Sequence, residues 1–243
     1  AANRHLGKSD REAAGVLSAA QRHTHFLDSP RIVASTAASD FTFAGLKEST
    51  ATVFLCLPPD RLDTYARWLR LLVSQAVTDM ARSTARPARP VLFLLDEFAA
   101  LGRLEAVERA MGLMAGYGLQ LWPILQDLSQ LRALYGARAN TFVANAGVLQ
   151  TFGVNDYETA KALSQLMGQA TTHYATTSHR PGDPAATTHQ LTGRDLLTPD
   201  EIMQMSPHLQ LLRLQGRPMI LARKLRYYAD PEFRGLFPPQ PAP

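Results

Sequence analysis

The sequence predicts an α/β protein built on a parallel sheet, and three observations carry that prediction. Short, continuous apolar runs alternate with longer stretches whose apolar residues recur at helical spacing. The apolar runs lack the in–out alternation of a sheet with one wet face, which suits parallel strands covered by helices on both sides. Hydrophobic residues make up 46% of the 243-residue chain and charged residues 19%, a balance that supports a large core and excludes a disordered chain.

Taken in order, residues 10–38 read as helical. "DREAAGVLSAAQRHTHFLDSP" opens on Asp10 as the capping residue and stops at Pro30, with Val16, Leu17, Ala20 and Leu27 as a partial apolar stripe. The turn-rich "STAASDFTFAGLKEST" marks a boundary. "TVFLCLP", Thr52 to Pro58, has the length and continuity of a strand buried on both faces. In "PDRLDTYARWLRLLVSQAVTDMAR", Asp60 is placed to cap a helix. Leu62, Tyr65, Leu69, Leu72, Val73, Ala76 and Met80 share one side of it, leaving Arg67, Arg70, Ser74 and Thr78 on the other. "RPARP" breaks this helix and leads into a strand, Val91 to Leu95. Leu104, Val107, Met111 and Met114 form the apolar face of the next helix, which "GYG" at 116–118 stops.

"LQLWPIL" at 119–125 is the third strand, with Pro123 a complication for a central position because it lacks an N–H. "DLSQLRALYG" is a short helix, and "AGVLQTFG" at 146–153 a fourth strand. Asn155 and Glu158 have capping-box spacing at the head of a helix that Gly168 ends. Residues 169–195, rich in Thr, His, Gly and Pro, read as an exposed loop or a hairpin. "LTPDEIMQM" combines Thr198 as cap, Pro199 at the first helical position and Glu201 three after the cap. "LQLLRLQGRPMILARKLRYY" reads as two strands around "QGRP".

The net charge of +4 is a mild bias compatible with an anionic partner. The single cysteine, Cys56, forms no internal disulfide and reads as a buried thiol in a reducing compartment. No stretch reaches the roughly eighteen apolar residues of a membrane helix. "AANRHLGKSD" lacks the apolar core of a signal peptide and reads as mid-protein sequence, so a fragment of a longer chain is expected. His23, His25, His173, His179 and His189 have no cysteine partner and no helical His-Glu spacing, which gives no basis for a zinc centre.

The chemistry concentrates in "VLFLLDEFAALG", Val91 to Gly102. An apolar strand that runs straight into Asp-Glu has the form of a Walker B motif. On this reading the first acid, Asp96, would hold Mg²⁺ through water, and the second, Glu97, would be the catalytic base that orients and polarises the water attacking a γ-phosphate. The competing reading is an acidic pair that leaves a buried strand and favours the start of a helix. A phosphate-binding loop is not found. "HLGKSD" offers Gly7-Lys8-Ser9, but the glycine required five residues earlier is Ala2, and no apolar strand precedes it.

The stretch "LLDEFAALGRLEAVERAMGLMAGYGLQLWPILQDLSQLRALYG", Leu94 to Gly136, closely resembles the coupling-protein ATPases of type IV secretion and conjugation systems. So do "GVLSAAQRHTHFLDSPRI", "LPPDRLDTYARWLRLLVS", "NDYETAKALSQLMG" and "QGRPMILARKLRYYADPEFRG", in the same order. The resemblance implies a RecA-like motor domain with a helical domain inserted between Walker A and Walker B. It further implies membrane helices that anchor the whole protein at the cytoplasmic face of the bacterial inner membrane, and assembly as a ring of six. ATP and Mg²⁺ are the implied cofactors. A relaxase–DNA complex, or an effector protein, is the implied cargo, passed to the secretion channel. On this basis residues 1–45 correspond to the end of the inserted helical domain, 46–236 to the second half of the motor, and 237–243 to a tail.

Residue by residue, Asp96 and Glu97 match the family's Walker B pair. Gln126 matches a glutamine after the next strand, which senses the γ-phosphate or holds the attacking water; the alternative is a side chain that caps "DLSQL". Walker A is absent, so this chain alone should bind ATP poorly and hardly hydrolyse it. A neighbour's arginine often completes such ring sites. "GLMAGYG" carries none where some relatives do, which leaves Arg103, Arg109, Arg132 and Arg138 as open candidates. Arg67 and Arg70, with Arg82, Arg86 and Arg89, either contact a DNA backbone or form a solvated face. Two other readings stay open. One is a non-catalytic remnant or oligomerisation and partner-binding module. The other is a septal-type DNA translocase of the same superfamily, which does not explain "LPPDRL" and "QDLSQL".

Overall fold

The computed structural model describes residues 8–178 and 186–237. They divide into two compact units, Ala1–Gln126 with Gln130–Asn145, and Asp127–Ser129 with Ala146–Pro243.

The first unit opens with α1 (Asp10–Thr24), a 3-10 turn (His25–Asp28) and α2 (Pro30–Thr36). The helical stretch expected over 10–38 is therefore broken before Pro30, because a residue preceding proline is pushed out of the helical region; Ser29 sits at φ −74°, ψ 119°. The N-cap of α1 is Ser9 rather than Asp10, and both its N–H and its hydroxyl donate to the Glu12 carboxylate, at 3.2 and 3.3 Å. Helix α3 (Leu62–Arg82) follows a 3-10 turn, Pro59–Arg61. Asp60 lies within that turn and pairs with Arg61 at 3.2 Å instead of capping the helix. The face of α3 that carries Leu69, Val73, Ala76, Val77 and Met80 is buried, as the spacing predicts. At its far end the buried Lys47 donates through Nζ to the carbonyls of Met80 (2.8 Å) and Ser83 (2.9 Å). A cation thus meets the negative end of the helix.

Residues 51–58 form no strand. The apolar run is there, but a strand needs a partner for its N–H and C=O groups, and among the described residues none pairs with it. Phe54 is 80% exposed, and Cys56, expected to be buried, is exposed too.

The strands that do form are β1 (Val91–Leu95) and β2 (Leu119–Pro123), parallel, in register from Val91↔Leu119 to Leu95↔Pro123. Helix α4 (Glu105–Leu113) and a 3-10 turn (Met114–Tyr117) connect them. Gly118 enters β2 at φ 72°, and a Cβ there would lie 2.8 Å from the Pro87 ring, so glycine is required on both counts. Pro123 does no harm. The N–H of Ile124 faces β1 and donates to the Leu95 carbonyl at 3.0 Å, so the nitrogen one residue earlier points away. Behind the pair, Met80, Phe98, Val107, Leu131 and Phe142 form the core with α5 (Leu128–Tyr135) and α6 (Ala139–Asn145). The rings of Phe98, Tyr135 and Phe142 pack 4.6–6.1 Å apart. The opposite face is open: Leu92, Leu94, Trp122 and Ile124 are 49%, 54%, 46% and 38% exposed. The pair expected to be covered on both sides is covered on one.

In the second unit, β3 (Val148–Thr151) does not extend a parallel ladder as expected. It pairs antiparallel with β6 (Leu209–Leu214), and β6 with β7 (Ile220–Arg223). The two strands read around "QGRP" are therefore present. Helix α7 (Tyr157–Met167) is capped by Asp156, whose carboxylate accepts from Thr159 N at 2.8 Å, rather than by the expected Asn155–Glu158 pair; Gly168 at φ 83° ends it. Strands β4 (Gln169–Ser178) and β5 (Ala186–Asp195) form an antiparallel hairpin, the second of the two forms read for 169–195. Its turn, with His179, lies outside the described residues. Helix α8 (Pro199–Met203) carries the predicted capping pattern: Thr198 N donates to Glu201 at 2.9 Å. Val154, Ala160, Leu163, Ile202 and Leu211 form this unit's core. Among the described residues no helix is long and apolar enough to cross a membrane.

Candidate active site

The predicted carboxylates emerge where β1 ends. Leu95 is buried, Asp96 and Glu97 are exposed, and Phe98 is fully buried again. To bring two consecutive side chains out between two buried ones, the backbone turns sharply. Glu97 adopts φ 47°, ψ 47°, the left-handed region, and is the single non-glycine residue with positive φ among those described. Such a conformation costs about 1–2 kcal/mol and persists only where its surroundings fix it.

Here they do. The N–H of Phe98 donates to the Ile124 carbonyl at 3.0 Å, Ile124 returns the bond to Leu95, and Ala100 N donates to the Glu97 carbonyl at 2.8 Å. The hydrogen bonding between the strands thus continues past the ladder and clamps the turn. Asp96 Oδ1 accepts from Glu97 N at 3.1 Å, which orients the first carboxylate. Gln126, predicted to act with this pair, is exposed three residues beyond β2, at the same carboxyl edge. Its backbone N–H, rather than its side chain, reaches the first turn of α5 and donates to Gln130 Oε1 at 3.1 Å. The carboxyl edge of parallel strands is where such sheets hold ligands.

The arrangement can hold a cation. Two adjacent carboxylates with no Lys or Arg in ion-pair range among the described residues suit a hard divalent cation held directly or through water. The phosphate grip is another matter. In "HLGKSD", the N–H of Ser9 is already given to Glu12, and residues before Lys8 lie outside the described range. The donors fit Mg²⁺, and the Ser9 N–H is not free for a phosphate.

The candidate arginines separate into two groups. Arg138 and Arg103 bind Glu108 at 2.6 and 3.3 Å, and Glu108 is 8% exposed. The Arg138 hydrogen bond holds the Glu108 carboxyl below its usual range, and Glu108 in turn raises Arg138. This triad was missed from the sequence although a signal existed: Leu104, Glu108 and Met111 share helical spacing, so a charge sits on the apolar stripe. Beside it the buried Tyr135 hydroxyl accepts from Leu104 N at 3.0 Å, and burial pushes its pKa up. Arg109 and Arg132 are exposed and make no ion pair among the described residues. On α3, Arg67 donates to the Arg22 carbonyl and Arg70 to the Arg103 carbonyl, the latter at 3.0 Å. Both line a groove with Arg103 and Arg109.

Comparison with known proteins is consistent in direction. The family model for conjugative DNA transfer by the type IV secretory system matches residues 2–240. The chain is 34% identical over 225 residues to protein VirD4 of Rhizobium radiobacter, which covers 88% of this chain and 33% of that protein. Its fold is like that of the unbound bacterial conjugative coupling protein TrwBΔN70, with a TM-score of 0.72 at 20% identity over 89% of this chain and 50% of the other. A second structure of TrwB, in complex with ADP and Mg²⁺, superposes with a TM-score of 0.69, at the same identity and coverage. The chain therefore spans about a third to a half of the length of these proteins.

Proposed function

We propose, for a chain that belongs to the conjugative DNA-transfer family of type IV secretory systems, that it is the Walker B half of an ATP-driven coupling motor. On this reading the motor takes up relaxase-bound DNA, or an effector protein, and passes it to a secretion channel. Residues 1–45 close an inserted helical domain, 46–236 form the second half of the RecA-like motor, and 237–243 are a tail. The complete protein is anchored at the inner membrane and works as a ring, with six subunits as the expected number.

The observation that carries the reading is the clamped turn at the end of β1, which presents Asp96 and Glu97 at the carboxyl edge of a parallel pair. A motor needs that rigidity. Its catalysis is positioning and electrostatics, and a water 1 Å out of place is not activated. Asp96 would hold Mg²⁺ through water, Glu97 would orient the attacking water and take its proton, and Gln126 would meet the γ-phosphate. Mg²⁺, when bound, neutralises charge on the phosphates. TrwB's complexes with ADP and Mg²⁺ and with a non-hydrolysable ATP analogue support ATP and Mg²⁺ as the cofactors here. The sequence carries no phosphate-binding loop of the required spacing, so the chain as given should hardly turn over ATP.

Calorimetric titration of this chain with Mg²⁺–ATP is expected to show no measurable binding. In a protein extended to the length of its relatives, ATP hydrolysis should appear. Glu97→Gln should then lower turnover about a hundredfold or more while the nucleotide Kd stays within about twofold, as removal of a general base does. Undiminished turnover in that variant would remove Glu97 from the mechanism.

A further inference from the structure

We infer that the arginine groove between α3 and α4 is a binding site for a nucleic-acid backbone, with Arg67, Arg70, Arg103 and Arg109 as its phosphate contacts; this rests on the motor reading and names a surface that meets its cargo. The groove is assembled from two separate pieces of sequence. Arg67 and Arg70 stand one turn apart on α3, while Arg103 and Arg109 come from the approach to α4 and from α4 itself. Ser74 and Thr78 continue the α3 side with hydroxyls.

Not all of this charge is paired with a carboxylate within the region. Arg103 serves Glu108, but Arg67, Arg70 and Arg109 have no carboxylate in ion-pair range among the described residues. Glu105 is the one acid that lines the groove, against four guanidinium groups. Placing like charges side by side is unfavourable unless an anion joins them. Two of the arginines are also pre-set: Arg70 is held against the Arg103 carbonyl and Arg67 against that of Arg22. Side chains anchored by one nitrogen keep further donors for a phosphate and lose little freedom on binding it.

The shape favours a chain-like ligand. The groove is open to solvent rather than an enclosed pocket of the kind that surrounds a mononucleotide. Leu71 is its one exposed large apolar side chain, so an acidic peptide would find charge but little to anchor its own side chains. A phosphodiester backbone needs only evenly placed cations and donors.

The test is fluorescence anisotropy of this chain with a labelled single-stranded oligonucleotide, in a salt series. Wild type should bind at low salt. Arg70→Ala and Arg109→Ala should each weaken binding by about three- to tenfold and reduce the salt slope by about one, whatever the base sequence. Arg70→Lys should recover part of the affinity. Arg61→Ala, outside the groove and paired with Asp60, should change neither quantity. Thermal melts of each variant keep folding apart from binding. No binding by wild type, unchanged slopes in the groove variants, or stronger competition from poly-glutamate than from unlabelled oligonucleotide would each overturn the assignment. The motor reading is judged separately, by the turnover of Glu97→Gln, and survives if only the groove fails.

Discussion

At Glu97 chemistry and backbone pull in opposite directions. The left-handed turn that presents the carboxylate suits glycine, and glutamate holds it only because Phe98 is buried and hydrogen-bonded to Ile124. Glu97→Gly should therefore stabilise the first unit by about 1 kcal/mol, seen as a higher urea midpoint, and eliminate hydrolysis in the complete motor. A lower midpoint would mean that the glutamate side chain contributes to folding in a way its exposure does not suggest. The position of Asp96 and Glu97 at the end of a strand was legible in the sequence, because an apolar run that leads into two acids is a local pattern. The strain was not, since φ at one residue depends on where Phe98 and Ile124 lie. Glu108 lay between these cases: its place on an apolar stripe was visible, but its partners, Arg103 and Arg138, lie 5 and 30 residues away.

Helix α3 shows what periodicity conveys about an element and what it leaves out. The stripe from Leu69 to Met80 predicted the buried face, and the arginines fell on the other side. Nothing in the spacing pointed to Lys47, which sits in a turn-rich stretch and closes the helix by donating to Met80 and Ser83. Lys47→Met keeps the apolar stem but leaves two carbonyls without that donor. It should cost about 2–3 kcal/mol, read as a lower urea midpoint with an unchanged m-value. A loss below about 0.5 kcal/mol would show that water replaces the ammonium. Residues 52–58 fail for the opposite reason. Their composition is right for a strand, but strand formation belongs to a pair, and composition does not supply the partner. β3 shows the same limit, since its residues read as a strand but its antiparallel neighbour, β6, begins some sixty residues later.

Across the whole molecule, three carboxylates tie stability to pH. Arg138 depresses Glu108; the Thr159 hydroxyl and N–H depress Asp156; the Thr198 N–H, with Arg194, depresses Glu201. Each has a folded pKa below its unfolded value. Their contribution is therefore fully present above about pH 4–5 and is lost as pH falls through the folded values. The melting temperature should fall between about pH 5 and pH 3, and Asp156→Asn and Glu201→Gln should each make that fall shallower. An unchanged slope in both variants would place the acid sensitivity elsewhere. The α/β class and the parallel β1–β2 pair were readable from runs of apolar residues. Continuous apolarity also suggested two covered faces, whereas the described residues cover one.

That open face gives the molecule an optical handle. Of its two tryptophans, Trp122 stands in the open apolar face and is half exposed, while Trp68 keeps its indole nitrogen enclosed and without a hydrogen-bond partner. Any layer of protein that settles on β1 and β2 dries one indole and leaves the other where it was. The intrinsic emission of Trp122, compared with that of a Trp122→Phe variant, would then move toward the blue as the sheet gains its second cover, and would time that event with no label attached.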